Sequence, residues 1–330
     1  MAEPKRISFY FILAVLVLTG WLGLGVLLLS ILFSYFAITK LNFLKTRHKW
    51  PALTLFLALL AGLAYGLAFF VQATAAALPG IAEKSVPAII QWANEHHIKL
   101  PFTDFESLKD EAIKLVTDEA KNIGKFADFA RGATTQFVYL VVGCVVAMGL
   151  FLNPMLELDR PSSADRNNLY SRTCLEIGRR FAMFYHSFAM VMSAQVIIAA
   201  IDATLTGIFL AVIGLPHIVV AVGVTFLCGL LPVVGNLLSN TLVVAIGFTI
   251  SPAKGLGALA FLVCIHQLEY FLDSKIIGGK IRSPLWLTLL ALVLGESLMG
   301  VTGMILAPAV LHYIRIEASS VSVNPKPKPL

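Results

Sequence analysis

The sequence predicts an all-α, polytopic membrane protein with about seven to nine membrane segments, two of them broken or re-entrant hairpins, plus one extramembrane amphipathic helix. Composition is the first reason: 58% of the 330 residues are hydrophobic and 13% charged, against about 25% charged in a soluble domain. Run length is the second, since several apolar runs reach the roughly 20 residues that a spanning helix needs. The third is the gathering of Lys and Arg into short loops, as the positive-inside rule requires. A large soluble α-protein with buried helices is the bland alternative, and the run lengths count against it. No basic, aromatic-interleaved surface suggests nucleic acid.

Met1–Arg6 is basic, and the apolar stretch behind it, Ile7–Ile38, is too long for a signal peptide. As one helix it would measure roughly 48 Å, against a hydrocarbon core of about 30 Å. TGWLGLG (Thr19–Gly25) supplies a hinge that divides it. Lys40, Lys45, Arg47 and Lys49 follow without an acid, which makes that loop cytoplasmic. Residues 53–72 form the next span and close the N-terminal membrane region, 1–79. Segment 80–132 is charged and extracytoplasmic, with Phe105, Leu108, Ala112, Leu115 and Val116 at helical spacing and Thr103 and Glu106 as a capping box.

The transport core, 133–315, begins with a span over 134–152 and a cytoplasmic loop over 153–180 carrying five arginines. The apolar stretch from Phe181 to Ile213 is turned by Gly214–Pro216. Segments 217–231 and 236–250 follow, then SPAKG as a short outer turn, then 256–272. A basic loop with Lys275, Lys280 and Arg282 precedes the last apolar block, 284–314, which exceeds one span and doubles back. The Pro-rich tail, 316–330, reads as disordered and cytoplasmic. On this scheme about two thirds of the 25 Lys and Arg lie inside the cell, and both termini with them. Cys144, Cys174, Cys228 and Cys264 share no disulfide or metal spacing.

Two interruptions lie inside apolar sequence. LLPVVGNLLSN (230–240) carries Pro232, Gly235 and Asn236; residues 294–308 carry Gly300, Gly303 and Pro308. Irregular backbone at membrane depth survives only where protein buries it or where it lines a wet cavity. Paired interruptions point to a binding site at the membrane midplane. The expected site therefore lies between these two segments.

Acids in apolar runs are the second pointer, because a charge at the bilayer centre costs about 2.5–3.5 kcal/mol on insertion scales. Asp202 sits mid-span, Glu269 lies a turn inside a basic loop with His266 three residues before it, and Glu296 sits at the second interruption. Glu269 is expected to carry a coupling proton or cation. Asp273 reads as interfacial.

The second half resembles the autoinducer-2 exporter family of prokaryotic multi-pass permeases, the PerM-like proteins. The likeness is carried by QVIIAAIDATLTGIFLAVIGLP, with Gln195, Thr206, Gly207, Gly214 and Pro216, and by LLPVVGN, with Pro232 and Gly235. It continues through Glu269, Lys275, Gly278, Pro284, Gly300, Gly303 and Pro308. Asn236, Ser274, Asp202 and Glu296 depart from the family pattern. The resemblance implies a homo-oligomeric transporter in the prokaryotic inner membrane, of a family associated with signal export or cation/proton exchange.

The function expected is that of a secondary transporter for a small polar solute or cation, using H⁺ or Na⁺ and no other cofactor. Candidate transport residues are Gln195, Asp202, Asn236, Glu269 and Glu296. No GxxxxGK[ST] phosphate loop appears, and neither HExxH nor GxSxG marks an intramembrane enzyme. A scaffold that recruits partners through 80–132 is the rival reading.

Overall fold

The computed structural model describes residues 3–42, 49–97, 123–153, 168–230, 234–276 and 284–319. They form ten α-helices and no strand: α1 (Glu3–Trp21), α2 (Gly25–Leu41), α3 (Trp50–Glu95), α4 (Ile123–Leu152), α5 (Leu169–Ile213), α6 (Ile218–Gly229), α7 (Val234–Phe248), α8 (Pro252–Ile276), α9 (Leu285–Met299) and α10 (Val301–Ser319). Five are long and apolar enough to cross a membrane: α1, α3, α4, α5 and α10. Their surfaces are oily. Trp21 is 80% exposed, Tyr65 78% and Val212 80%, as lipid-facing side chains are and water-facing ones rarely are.

The chain divides into two compact units. The first holds residues Met1–Lys49, Tyr139–Ser193 and Lys280–Leu330; the second holds Trp50–Val138 and Ala194–Gly279.

In the first unit, α1 ends where the sequence expects its hinge. Gly23 adopts φ +66°, its amide bonds to Gly20 O at 3.2 Å, and Leu24 N bonds to Thr19 O at 2.9 Å. That pair is a Schellman closure, which needs a residue free to take positive φ. The unit's core joins Leu29 and Leu32 of α2, Phe188 and Met192 of α5, and Leu306 and Ala309 of α10. Ser30 Oγ donates to Leu140 O at 2.7 Å, pinning α2 to α4. Lys49 Nζ donates to Phe151 O (3.0 Å) and Leu152 O (2.9 Å), a cation on the carbonyl end of α4.

A buried ionic group ties the same unit together. Arg180, only 3% exposed, donates Nη1 to Glu317 Oε1 of α10. Its Nε reaches Ser8 Oγ at 3.0 Å and its Nη2 reaches Lys5 O at 3.2 Å. The guanidinium also stacks over the Phe9 ring, 5.5 Å from its centroid. One side chain of α5 thus holds α1 and α10. The positive-inside count registers Arg180 only as one more loop charge.

In the second unit, Leu210 of α5, Ala221 of α6, Ile246 of α7 and Ala258 of α8 share one core with Ile81 of α3. Helix α5 closes by the same device as α1: Gly214 takes φ +70° and Leu215 N bonds to Leu210 O at 2.8 Å. Lys254 Nζ caps Ile213 O at 2.8 Å. Phe209 and Phe261 stack at 4.0 Å, fixing α5 against α8.

Several boundaries differ from the sequence reading. Helix α3 runs through Pro79 and Pro87 to Glu95, and α4 already begins at Ile123, so both ends of segment 80–132 continue the flanking helices. Neighbouring helices can meet the carbonyl that an interior proline frees in a membrane helix. The Thr103–Glu106 cap lies outside the described residues. The loop over 153–180 is helical from Leu169, where Asn168 Oδ1 accepts Ser171 N at 2.7 Å as an N-cap. SPAKG is only partly a turn, because α8 starts at Pro252, the first-turn position that proline favours.

Arg180→Met is expected to destabilise the protein by about 3–5 kcal/mol, since it strands the Glu317 carboxylate. Arg180→Met combined with Glu317→Leu should recover most of that loss in a detergent-solubilised thermal melt. Equal melting temperatures for the two variants would mean the pair is not coupled.

Candidate functional site

At each interruption two helices fold back on each other, and three of those four helices are short. Helix α6 has 12 residues, α7 has 15 and α9 has 15, or about 18 to 22 Å each. None reaches across a core of about 30 Å.

In the second unit, α6 and α7 form an antiparallel hairpin. A Cβ on Gly235 would fall 1.7 Å from Cys228 O, so the backbones touch beside the turn and only glycine fits. Gly235 therefore lies within α7, while Pro232 is outside the described residues, as are the surroundings of the Asn236 side chain. Further along the hairpin, Val220 meets the core beside Val243.

The carbonyl end of α6 is pressed against α5. A Cβ on Gly229 would lie 2.9 Å from Ala199 Cβ, and one on Gly207 would lie 3.0 Å from Val222 Cγ2. These two contacts set α5 antiparallel to α6. Gln195 Nε2 donates to Gly229 O at 2.7 Å, one of the last-turn carbonyls that a helix end does not pair within itself. Gln195 thus acts on the interruption itself.

The same register brings four buried polar side chains to one depth. Asp202 is 3% exposed, Thr206 3%, Thr225 6% and Ser239 2%. Asp202 and Thr206 are one turn apart on the same face of α5. Thr225 of α6 comes within about a turn of their level, and the Gly235–Cys228 contact puts Ser239 of α7 level with Thr225. The Thr225 hydroxyl is buried and has no hydrogen-bond partner among the described residues. Such a group in a native interior calls for an explanation, and an ion or polar ligand is one. Thr225 and Ser239 escape notice in the sequence because single hydroxyls are common in apolar helices.

Glu269 is on α8, with its side chain 15% exposed and Oε2 3.7 Å from His266 Nδ1, which is 47% exposed. At that distance and exposure the pair is weak. The Phe209–Phe261 stack and the Lys254–Ile213 bond run α8 antiparallel to α5, which brings Glu269 to a depth similar to that of Asp202.

The second interruption belongs to the first unit. It is a single residue, Gly300, at φ +61° and ψ −142°, backbone geometry that glycine alone adopts without strain. Helices α9 and α10 fold back around it, and a Cβ on Gly303 would meet Gly295 O at 1.8 Å. Gly303 is therefore a seam contact. Pro308 lies inside α10, which runs on past it to Ser319. Glu296, one turn before Gly300, is exposed. Of the residues singled out from the sequence, Gln195, Asp202, Gly235 and Glu269 belong to the second unit, and Glu296, Gly300, Gly303 and Pro308 to the first.

A family model described as AI-2E family transporter matches residues 7–317. Three relatives each carry the printed name "Putative transport protein". YdbI of Bacillus subtilis is 29% identical over 135 residues, 40% of this chain and 38% of that protein. YueF of the same organism is 32% identical over 130 residues, 39% of this chain and 35% of that protein. MT0215 of Mycobacterium tuberculosis is 24% identical over 324 residues, 90% of this chain and 83% of that protein. The matches to YdbI and YueF thus span under two fifths of their lengths.

Gln195→Leu should strand the Gly229 carbonyl in an apolar setting, a loss of about 1–3 kcal/mol. Hydrogen exchange is expected to speed up at the end of α6 and the start of α7 while α2 is unchanged. Unaltered protection there would show that Gln195 does not hold the interruption.

Proposed function

The chain belongs to the AI-2E transporter family, and on that premise we propose that this multi-pass membrane protein is a secondary transporter of a small polar solute or cation. H⁺ or Na⁺ drives it, in exchange for the solute. The observation that carries the reading is a layer of four buried polar side chains in the second unit: Asp202, Thr206, Thr225 and Ser239, one to two turns from the end of α6.

Oxygen donors of this kind suit a hard cation, and a carboxylate among them can instead take up a proton. The carbonyl end of α6 adds partial negative charge toward the same region. Short helices that end inside the membrane are the recurring way in which transporters present backbone carbonyls to an ion. Both hairpins, α6–α7 and α9–α10, are read here as re-entrant. Asp202 is the principal coupling group, Glu269 a second carboxylate at similar depth, and Gln195 the residue that fixes the end of α6. Asn236, beside the α6–α7 turn, and Glu296, beside the α9–α10 turn, are proposed to meet the solute on its way in or out.

The basic loops favour an inner-membrane protein with both termini in the cytoplasm. The apolar surface leaves room for self-association into a homo-oligomer.

In proteoliposomes, Asp202→Asn should lower ion-coupled flux at least about tenfold while keeping the shape of the carboxylate. Thr225→Val should raise the cation concentration needed for half-maximal flux and spare the maximal rate. Full coupled flux in Asp202→Asn would remove the polar layer from the mechanism.

A further inference from the structure

The first unit contains a cavity of about 1150 Å³ that the transport reading does not use, walled by α1 on one side and by α9 and α10 on the other. Its lining is almost wholly apolar: Leu13 and Val17 of α1, Leu290 and Leu294 of α9, Ile314 of α10. Those side chains are also open to the outside, Leu13 at 46%, Val17 at 62%, Leu294 at 54% and Ile314 at 55% exposed. The cavity is therefore a groove on a membrane-facing surface, and water is the wrong solvent for it.

One end of the groove has a different character. Arg6 and Tyr10 line it there, Arg6 exposed and Tyr10 66% exposed. Glu317 is the one acid among the lining residues, and its carboxylate is engaged by Arg180. Among the described residues, Arg6 pairs with no acid. The groove thus carries a net positive head on an uncharged trough.

Its length fixes the occupant. From Arg6 to Val17 is about 16 Å along a helix. One leaflet of the hydrocarbon core, half of about 30 Å, is about 15 Å deep. We infer that this groove holds an anionic phospholipid of one leaflet, its phosphate on Arg6 and Tyr10 and an acyl chain lying along α1 against the α9–α10 hairpin. A guanidinium donates to two phosphate oxygens in a bidentate fork, an attraction that a zwitterionic headgroup, with its own cation nearby, weakens.

The test is native mass spectrometry of the delipidated full chain in detergent, titrated separately with phosphatidylglycerol and phosphatidylcholine. Wild type should retain one phosphatidylglycerol with about fivefold preference, the effect expected of one basic side chain at a membrane surface. Arg6→Gln, at an exposed position that folding does not depend on, should retain the two lipids alike. Leu294→Trp, which fills the trough and leaves Arg6 intact, should lose both. Millimolar inorganic phosphate should leave the phosphatidylglycerol adduct in place. The assignment is overturned if wild type shows no preference, if Leu294→Trp retains lipid as wild type does, or if free phosphate strips the adduct. A second copy of the chain seated in the groove, seen as a dimer that excludes lipid, overturns it too.

Discussion

A helix that stops inside hydrocarbon releases carbonyls that no water can reach, and each must find a donor or lie beside something polar. If α6 and α7 are re-entrant, as proposed, that constraint decides which residues of the second unit stand where. Helix α6 ends after 12 residues. Gln195 of α5 donates to Gly229 O, and the close backbone approach at Gly229 and Ala199 keeps that donor in reach. The same approach that lets glutamine serve the carbonyl also fixes the register of α5 and α6. The depth at which Asp202, Thr206, Thr225 and Ser239 lie follows from that register. Structure and candidate chemistry here share one hydrogen bond as their origin.

The first unit handles its polar groups differently. Arg180 is fully enclosed, and its donors are distributed over a carboxylate, a hydroxyl, a carbonyl and an aromatic face. A buried ion pair is a weak source of stability compared with an apolar replacement, but breaking one partner is severe. Its value lies in specification: only one arrangement of α1, α5 and α10 serves all those donors at once. Lys49 and Lys254 do a smaller version of this at the ends of α4 and α5, each spending an ammonium on terminal carbonyls.

How far the sequence reveals this depends on the range of each interaction. Turns set by one residue were legible: Gly23 and Gly214 take the positive φ that their Gly-rich contexts suggest. The doubling back of 284–314 was legible too, although the turn narrows to Gly300 alone. Proline misled at Pro308, read as part of an interruption although α10 passes straight through it. Charge misled over 169–180, where Arg and Glu on the first turns of α5 read as loop. Asp202 stood out as an acid in an apolar run, and Gln195 through the family resemblance. Thr225, Ser239 and the Arg180–Glu317 pair did not, because their significance lies in partners on other helices, 137 residues away in the last case.

The seam of the α9–α10 hairpin carries one further implication. Gly295 and Gly303 bring two backbones into direct contact, and Gly300 leaves no slack between the helices. Neither helix can slide or part from the other without losing that contact. The pair is thereby tied to tilt or shift as a single paddle, its two blades closed on each other beside the turn. Any aqueous path that meets that closed stretch has to skirt the paddle's flank.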